Sequence, residues 1–291
     1  MFDIDWQRPW LSGFKLHGQA IAKLWQDLGS LPLALNQYAQ SGLFSLDVDV
    51  RADEERQILS VDGLQGLPRF VSQAHLPAEM AYESFICDTH CVPTRENLHD
   101  FFNALCWFRY PLTKAYLNAQ QARAIEQLGS APSRGSLRDA LTLLDENACF
   151  IWCDEQMWCA LRRHDWLSAF WDQRAQWQGV RVELFGHALL EKLCNPYKAI
   201  TAHALLVGAA PINEGLDDLK GNLDAWSDTL MLRTVGRVNL SNKPFQALPV
   251  LGVPGWSMQN TQLSFYEDEK VFRPMKPDAL NEGREKTRAR P

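Results

Sequence analysis

The chain lacks any apolar run of about 18 residues, so no membrane-crossing helix is expected. No secretion leader is expected either. The opening Met1-Phe2-Asp3-Ile4-Asp5-Trp6-Gln7-Arg8 puts acids where a secretion signal carries positive charge. There is no excess of positive charge either. The net charge is -6 and the sequence pI is about 5.7, which argues against a broad nucleic-acid footprint. The seven cysteines cannot all pair, and without a leader they read as reduced thiols in a cytoplasmic protein. Cys87/Cys91 and Cys149/Cys153 have weak zinc spacing, and buried free thiols are the simpler reading. Several catalytic signatures are missing: a Gly-x-Ser-x-Gly elbow, a Gly-rich phosphate loop with lysine, a dinucleotide fingerprint and a His-Glu-x-x-His pair. No internal repeat or low-complexity block is found.

What is present is enough apolar material for a sizeable core: 291 residues, 46% of them hydrophobic, with 11 tryptophans read as core packing. The pattern predicts an α+β fold, with helices packed on a small mixed β-sheet. Residues 1–276 are expected to form a single domain with an irregular N-terminal section and an extended C-terminal wrap. Residues 277–291 are charged, almost free of apolar side chains and expected to be disordered.

One stretch concentrates the chemistry, Val92-Pro93-Thr94-Arg95-Glu96-Asn97-Leu98-His99-Asp100-Phe101-Phe102-Asn103-Ala104-Leu105. Thr94 is expected to cap a helix running from about Arg95 to Arg109, with Glu96 favouring its positive end. Leu98, Phe101, Phe102, Leu105 and Phe108 share one face, while His99, Asn103 and Cys106 form a second stripe. Asp100 lies on a third stripe with Ala104 and Trp107. Any cluster built on His99 therefore draws its partners from elsewhere in the chain.

Other expectations follow in order. Helices are read at 17–28 and 33–39, and Phe85-Ile86 as extended. A second helix runs from a Thr113 cap to a stop at Gly129, hairpinned on the first. Leu141–Leu144 and Cys149–Cys153 read as a β-hairpin turning at Asp145-Glu146-Asn147. Asp154 starts a helical region, and Asp165 to Trp177 is another. Val180–Phe185, a helix from His187 to Cys194, and Ile200–Val207 suggest a strand–helix–strand crossover. A last helix is read at 216–232, before the proline- and glycine-rich wrap.

Three runs carry a resemblance: the stretch beginning at Val92, Arg138-Asp139-Ala140-Leu141-Thr142-Leu143-Leu144-Asp145-Glu146, and Phe185-Gly186-His187-Ala188-Leu189-Leu190-Glu191-Lys192. Together they resemble a bacterial family known as domain of unknown function 3025, over about residues 80–275. The resemblance implies a soluble, mainly proteobacterial protein and no particular activity.

The residues support two classes of function. One is an interior hydrogen-bonded network, with or without a small molecule or partner bound, in which Asp139 and Asp145 turn the backbone. The other is a metal-assisted hydrolase acting on a phosphorylated or carboxylated small molecule. There a divalent metal would be held by donors drawn from His99, Asp139, His187 and Glu191, with Asp100 also a candidate, and Asp145 or Glu146 would act as general base. Thr94, Arg95, Asn103, Arg134 and Arg138 are the candidates for an anionic ligand, because arginine forks match carboxylate and phosphate oxygens. Cys106 shares a stripe with His99 but lies two turns away, about 10 Å along the axis, too far for a nucleophile–base pair.

Overall fold

The computed structural model describes residues 3–41, 66–128, 135–209 and 223–275. Arg134, Gly129, the start of the helix expected at 216–222 and the tail 277–291 lie outside the described residues.

After a 3-10 turn at Pro9–Phe14, α1 (Lys15–Leu28) and α2 (Leu31–Gln40) form an antiparallel pair, with Gly29 in the left-handed region ending α1. The expected helices at 17–28 and 33–39 are therefore present. The first turn of α2 is held from a distance, because both Glu96 carboxylate oxygens accept from the Leu31 N–H, at 3.0 and 2.8 Å. Glu96 thus caps α2 rather than favouring the helix that follows it in sequence.

β1 (Arg69–Ser72) and β2 (Cys91–Thr94) form a two-stranded parallel sheet, joined through α3 (Tyr82–Thr89). Phe85 and Ile86, expected to be extended, are the buried face of α3. A two-residue apolar run carries no period, and here tertiary burial settles the conformation. His90 then stops the helix in the left-handed region, at φ 53°.

The central helix α4 spans Leu98–Arg109, and its cap is Asn97, whose Oδ1 accepts from the Asp100 N–H at 2.8 Å. Thr94 instead ends β2, buried, with its hydroxyl donating to the Val92 carbonyl at 2.9 Å. Both residues are good caps, and the pairing of β2 with β1 takes Thr94 out of contention. α4 is almost entirely buried, as its apolar composition requires. α5 (Pro111–Leu128) returns against it, starting at the proline rather than at Thr113. Its first turn is capped by Asp228, which accepts from Leu112 N–H, Thr113 N–H and the Thr113 hydroxyl at 2.7, 3.0 and 2.6 Å.

The largest correction falls on residues 136–147. They form one helix, α6 (Ser136–Asn147), that leads straight into β3 (Ala148–Trp152), so no hairpin exists there. Ala140, Leu141 and Leu144 are buried at helical spacing. The four-residue apolar run looked strand-like because so short a run fits both periods.

The main sheet has the order β4-β3-β5-β6, with β4 at Arg181–Leu184, β5 at Thr201–Gly208 and β6 at Gln246–Pro249. β3 pairs antiparallel with β4 and parallel with β5, and β6 is antiparallel to β5. β4 and β5 therefore run in opposite directions with β3 between them. The parallel crossover links β3 to β5, not β4 to β5 as the sequence suggested. That connection includes α7 (Glu155–Arg162), capped by Asp154, then a π-helical turn at Ser168–Asp172 and a 3-10 turn at Arg174–Gly179 in place of a regular helix. α8 (His187–Lys192) follows β4, and α9 is Leu223–Arg237.

From Asn239 the chain runs extended and in short 3-10 turns, apart from β6. One apolar core reaches from Trp10 through α4 and the sheet to Phe272. The fold is α+β, as the sequence indicated, and among the described residues no helix is long and apolar enough to cross a membrane. Cys149 and Cys153 are buried free thiols.

Candidate functional site

The site forms where α4 meets α6 and α8. Gly186, just before α8, is what lets them meet. A Cβ there would stand 2.4 Å from the Glu146 carbonyl oxygen and 2.5 Å from the Asn147 nitrogen. Only glycine allows α8 to start flush against the α6–β3 junction. The junction is tied further by the N–H groups of Phe185 and Gly186, which both donate to the Ala148 carbonyl.

This approach sets His187. Its Nδ1 lies 2.8 Å from the Asp145 backbone carbonyl, which can only accept, so Nδ1 carries the hydrogen. Its Nε2 lies 3.0 Å from Nε2 of His99. The two rings cross at 79° with centroids 4.5 Å apart. On its other side, His99 Nδ1 lies 2.8 Å from the Glu191 carboxylate. An ionised carboxylate also only accepts, so this Nδ1 is a donor as well. Each Nε2 is then left with a lone pair, and the two lone pairs face one another across a hydrogen-bond distance. As neutral rings they repel; a proton or cation between them makes the contact attractive.

The two halves of the cluster differ. The His99 and Glu191 side chains are 33% and 38% exposed, whereas the His187 side chain is 7% exposed. Burial first, then the charges of Lys114 and His99, push His187 down to about 4 against the pull of Asp145, so its imidazole is neutral near pH 7.

Behind His187 lies a closed polar network. Asp145 Oδ1 accepts from Lys114 Nζ at 2.5 Å, and Asp145 Oδ2 is 3.6 Å from His187 Nδ1. Lys114 also donates to Asn103 Oδ1 at 2.8 Å, and Asn103 Nδ2 donates to the Tyr82 hydroxyl at 3.0 Å. The ammonium sits 5.5 Å from the Trp107 ring centroid. Burial alone would raise Asp145, but Lys114 and the nearby imidazoles outweigh it and hold the carboxyl below the usual range. Burial, then Asp100 and Asp145, push the Tyr82 phenol up. On the solvent side Asp100 takes a two-pronged ion pair from Arg95, at 3.1 and 2.8 Å, plus the Arg95 backbone N–H at 2.7 Å.

The structure thus brings His99, His187, Glu191, Asp145 and Asn103 together. Arg95 stands at the edge, committed to Asp100. Asp139 is exposed on α6, 3.9 Å from Lys243, and is not part of the cluster. Glu146 is exposed and contributes its backbone to the junction. Arg138 is half-buried on α6, and Thr94 is bonded within β2. Cys106 donates to the Phe185 carbonyl at 3.2 Å, and burial pushes its thiol up to about 12, so it serves as packing. Among the described residues, no three His, Cys, Asp or Glu side chains converge in a metal-ligand set.

Lys114 and Tyr82 were missed from the sequence. The only signal for Lys114 was a lysine in the first turn of a helix whose Tyr110-Pro111-Leu112 entry is apolar. A second buried network was missed too: Glu183 accepts from Arg109, Arg181 and the Tyr110 hydroxyl. It joins α4 to β4; Arg109, Tyr110 and Glu183 are buried, while Arg181 is partly exposed.

No curated protein and no solved structure matches the chain. A family model described as "Protein of unknown function (DUF3025)" matches residues 68–276, more than two thirds of the sequence, so it takes in every element from β1 to the C-terminal wrap. The chain belongs to that family.

Proposed function

We propose that the protein binds a small molecule at the half-exposed edge formed by His99 and Glu191, with His99 as the proton-transfer group. The observation that carries this reading is the Nε2–Nε2 contact of 3.0 Å between His99 and His187, with both Nδ1 atoms already committed. Glu191 orients His99 and stabilises it when it takes a second proton, the role a carboxylate plays behind a general base. His187 accepts a hydrogen bond from His99 once His99 carries a proton on Nε2, and stays neutral itself because burial disfavours its charged form. The inner residues Asp145, Lys114, Asn103 and Tyr82 are bonded to one another behind His187, and the Asp145 carbonyl holds its ring.

Charge favours a neutral or cationic molecule over the anionic one expected from the arginines. Two cations, Arg95 and Lys114, stand against three carboxylates, Asp100, Asp145 and Glu191, which leaves one negative charge. Both cations are already paired.

The reading is tested by a thermal-shift screen of small amines, neutral esters and amides, carboxylates and phosphate esters. It compares wild type with Glu191→Gln and His187→Gln. Stabilisation by an amine or neutral compound that both variants lose supports the reading. Stabilisation that persists in both variants contradicts it.

A further inference from the structure

We infer that the gap between His99 Nε2 and His187 Nε2 is a binding site for a late first-row divalent cation. The inference rests on the small-molecule site proposed above and names the cofactor of that site. Three observations support it. First, the two nitrogens are 3.0 Å apart. Imidazole nitrogens bind zinc-like ions at about 2.0–2.1 Å, so two of them on one ion sit about 2.9 Å apart at the right angle of octahedral or square-planar coordination and about 3.3 Å apart at a tetrahedral angle, close to and slightly beyond the observed separation. The rings can accept an ion in neighbouring coordination positions with little movement.

Second, both rings are already prepared as ligands. A metal-binding histidine usually donates its other ring N–H to a carboxylate or a backbone carbonyl, which fixes the tautomer. His99 does so to Glu191 and His187 to the Asp145 carbonyl, at 2.8 Å in each case. Third, the surrounding charged side chains sum to one negative charge, which favours a cation in the gap.

This arrangement revises the role of the acidic residues. Glu191 reaches the nitrogen of His99 that points away from the gap, so it orients a ligand and is not one itself. Asp139 is elsewhere. Nitrogen donors select zinc, nickel, cobalt or copper over magnesium or calcium. Only two protein ligands are supplied among the described residues, which leaves several positions for water or for a substrate oxygen or nitrogen. A bound ion would occupy both Nε2 lone pairs, so in the loaded protein it, and not His99, would supply the chemistry, as a Lewis acid and through an activated water.

The test is calorimetric titration of the full chain with ZnCl2, together with the absorption spectrum of the Co2+ form. The expected result is one ion per chain, no thiolate-to-cobalt charge-transfer band, and no response to MgCl2. His99→Gln should abolish binding, and Glu191→Gln should weaken it by about 10- to 100-fold, as loss of an orienting partner does. His99 is half-exposed, so its variant should fold, and far-UV circular dichroism checks this. His187→Gln serves as the second variant.

Absence of binding to wild type overturns the inference. Binding that survives in His99→Gln, or a thiolate band, also overturns it, by placing the ion on cysteines such as the exposed Cys87. The small-molecule reading fails separately: a ligand-induced shift lost in Glu191→Gln, with no metal bound, sustains that reading and removes only the cation.

Discussion

Asp145 and Lys114 form an ion pair with side-chain exposures of 19% and 5%, and removing one member strands the other. Asp145→Asn is expected to lower stability by about 3 kcal/mol in urea unfolding, the lower end for a broken buried pair. His187 governs a different window. Its folded value of about 4 lies below its ordinary 6.5, so between these pH values the native state binds fewer protons than the unfolded chain. Stability therefore rises with pH across that window and is lost as pH falls through it, by at most about 1.4 kcal/mol per unit. In His187→Gln the pH dependence from 4 to 6.5 should flatten, as read from unfolding midpoints at several pH values.

Single residues were only partly legible in the sequence. Helical spacing separates His99 from Asp100, and the structure pairs Asp100 with Arg95 and His99 with Glu191. Periodicity could not identify Lys114 as the partner of Asp145, because the two residues lie 31 positions apart on different helices.

At the scale of elements, the junction of α6, β3 and α8 decides whether a site exists. Gly186→Ala would drive a methyl group into the Glu146 and Asn147 backbone, which cannot yield as a flexible side chain could. The expected cost is about 1–3 kcal/mol for overpacking, with a lower thermal midpoint and loss of the His187–Asp145 contact. The cap of α4 gives a second prediction. Asn97→Ala should cost about 1 kcal/mol in chemical denaturation, because Asn97, not Thr94, satisfies the first turn.

The longer helices, α1 and α4 among them, could be read from the sequence because several turns of spacing agree. α6 was hidden because only Leu141–Leu144 looked regular, and the chain passes from helix to strand at Asn147–Ala148 with no turn residue between. The direction of β4 against β5 was hidden as well, because strand order is a long-range property that local patterning does not record.

The whole molecule is closed by its C-terminal wrap. Phe272 packs on Tyr266, Phe265 and Phe170 at centroid distances of 5.3, 5.6 and 6.0 Å. Lys198 lies 4.4 Å from the Phe265 ring centroid and is ion-paired with Asp268 at 2.9 Å. The wrap is thus part of the core rather than an appendage. Phe272→Ala should cost about 3–5 kcal/mol and speed hydrogen exchange throughout 250–272. An effect limited to exchange at the terminus would mean that the wrap contributes little. The sequence indicated an extended wrap from its prolines and glycines, but not its anchoring, which depends on aromatic residues about 100 positions apart, such as Phe170 and Phe272.

All of these scales meet at one pair of nitrogens. The most direct measurement is a long-range 1H–15N correlation spectrum of the histidine side chains in the metal-free protein near pH 7. The account predicts that His99 and His187 each carry a hydrogen on Nδ1, held by Glu191 and by the Asp145 carbonyl, with their Nε2 atoms left to share whatever lies between them. A spectrum in which either ring is the neutral tautomer with hydrogen on Nε2 and a bare Nδ1 would contradict it.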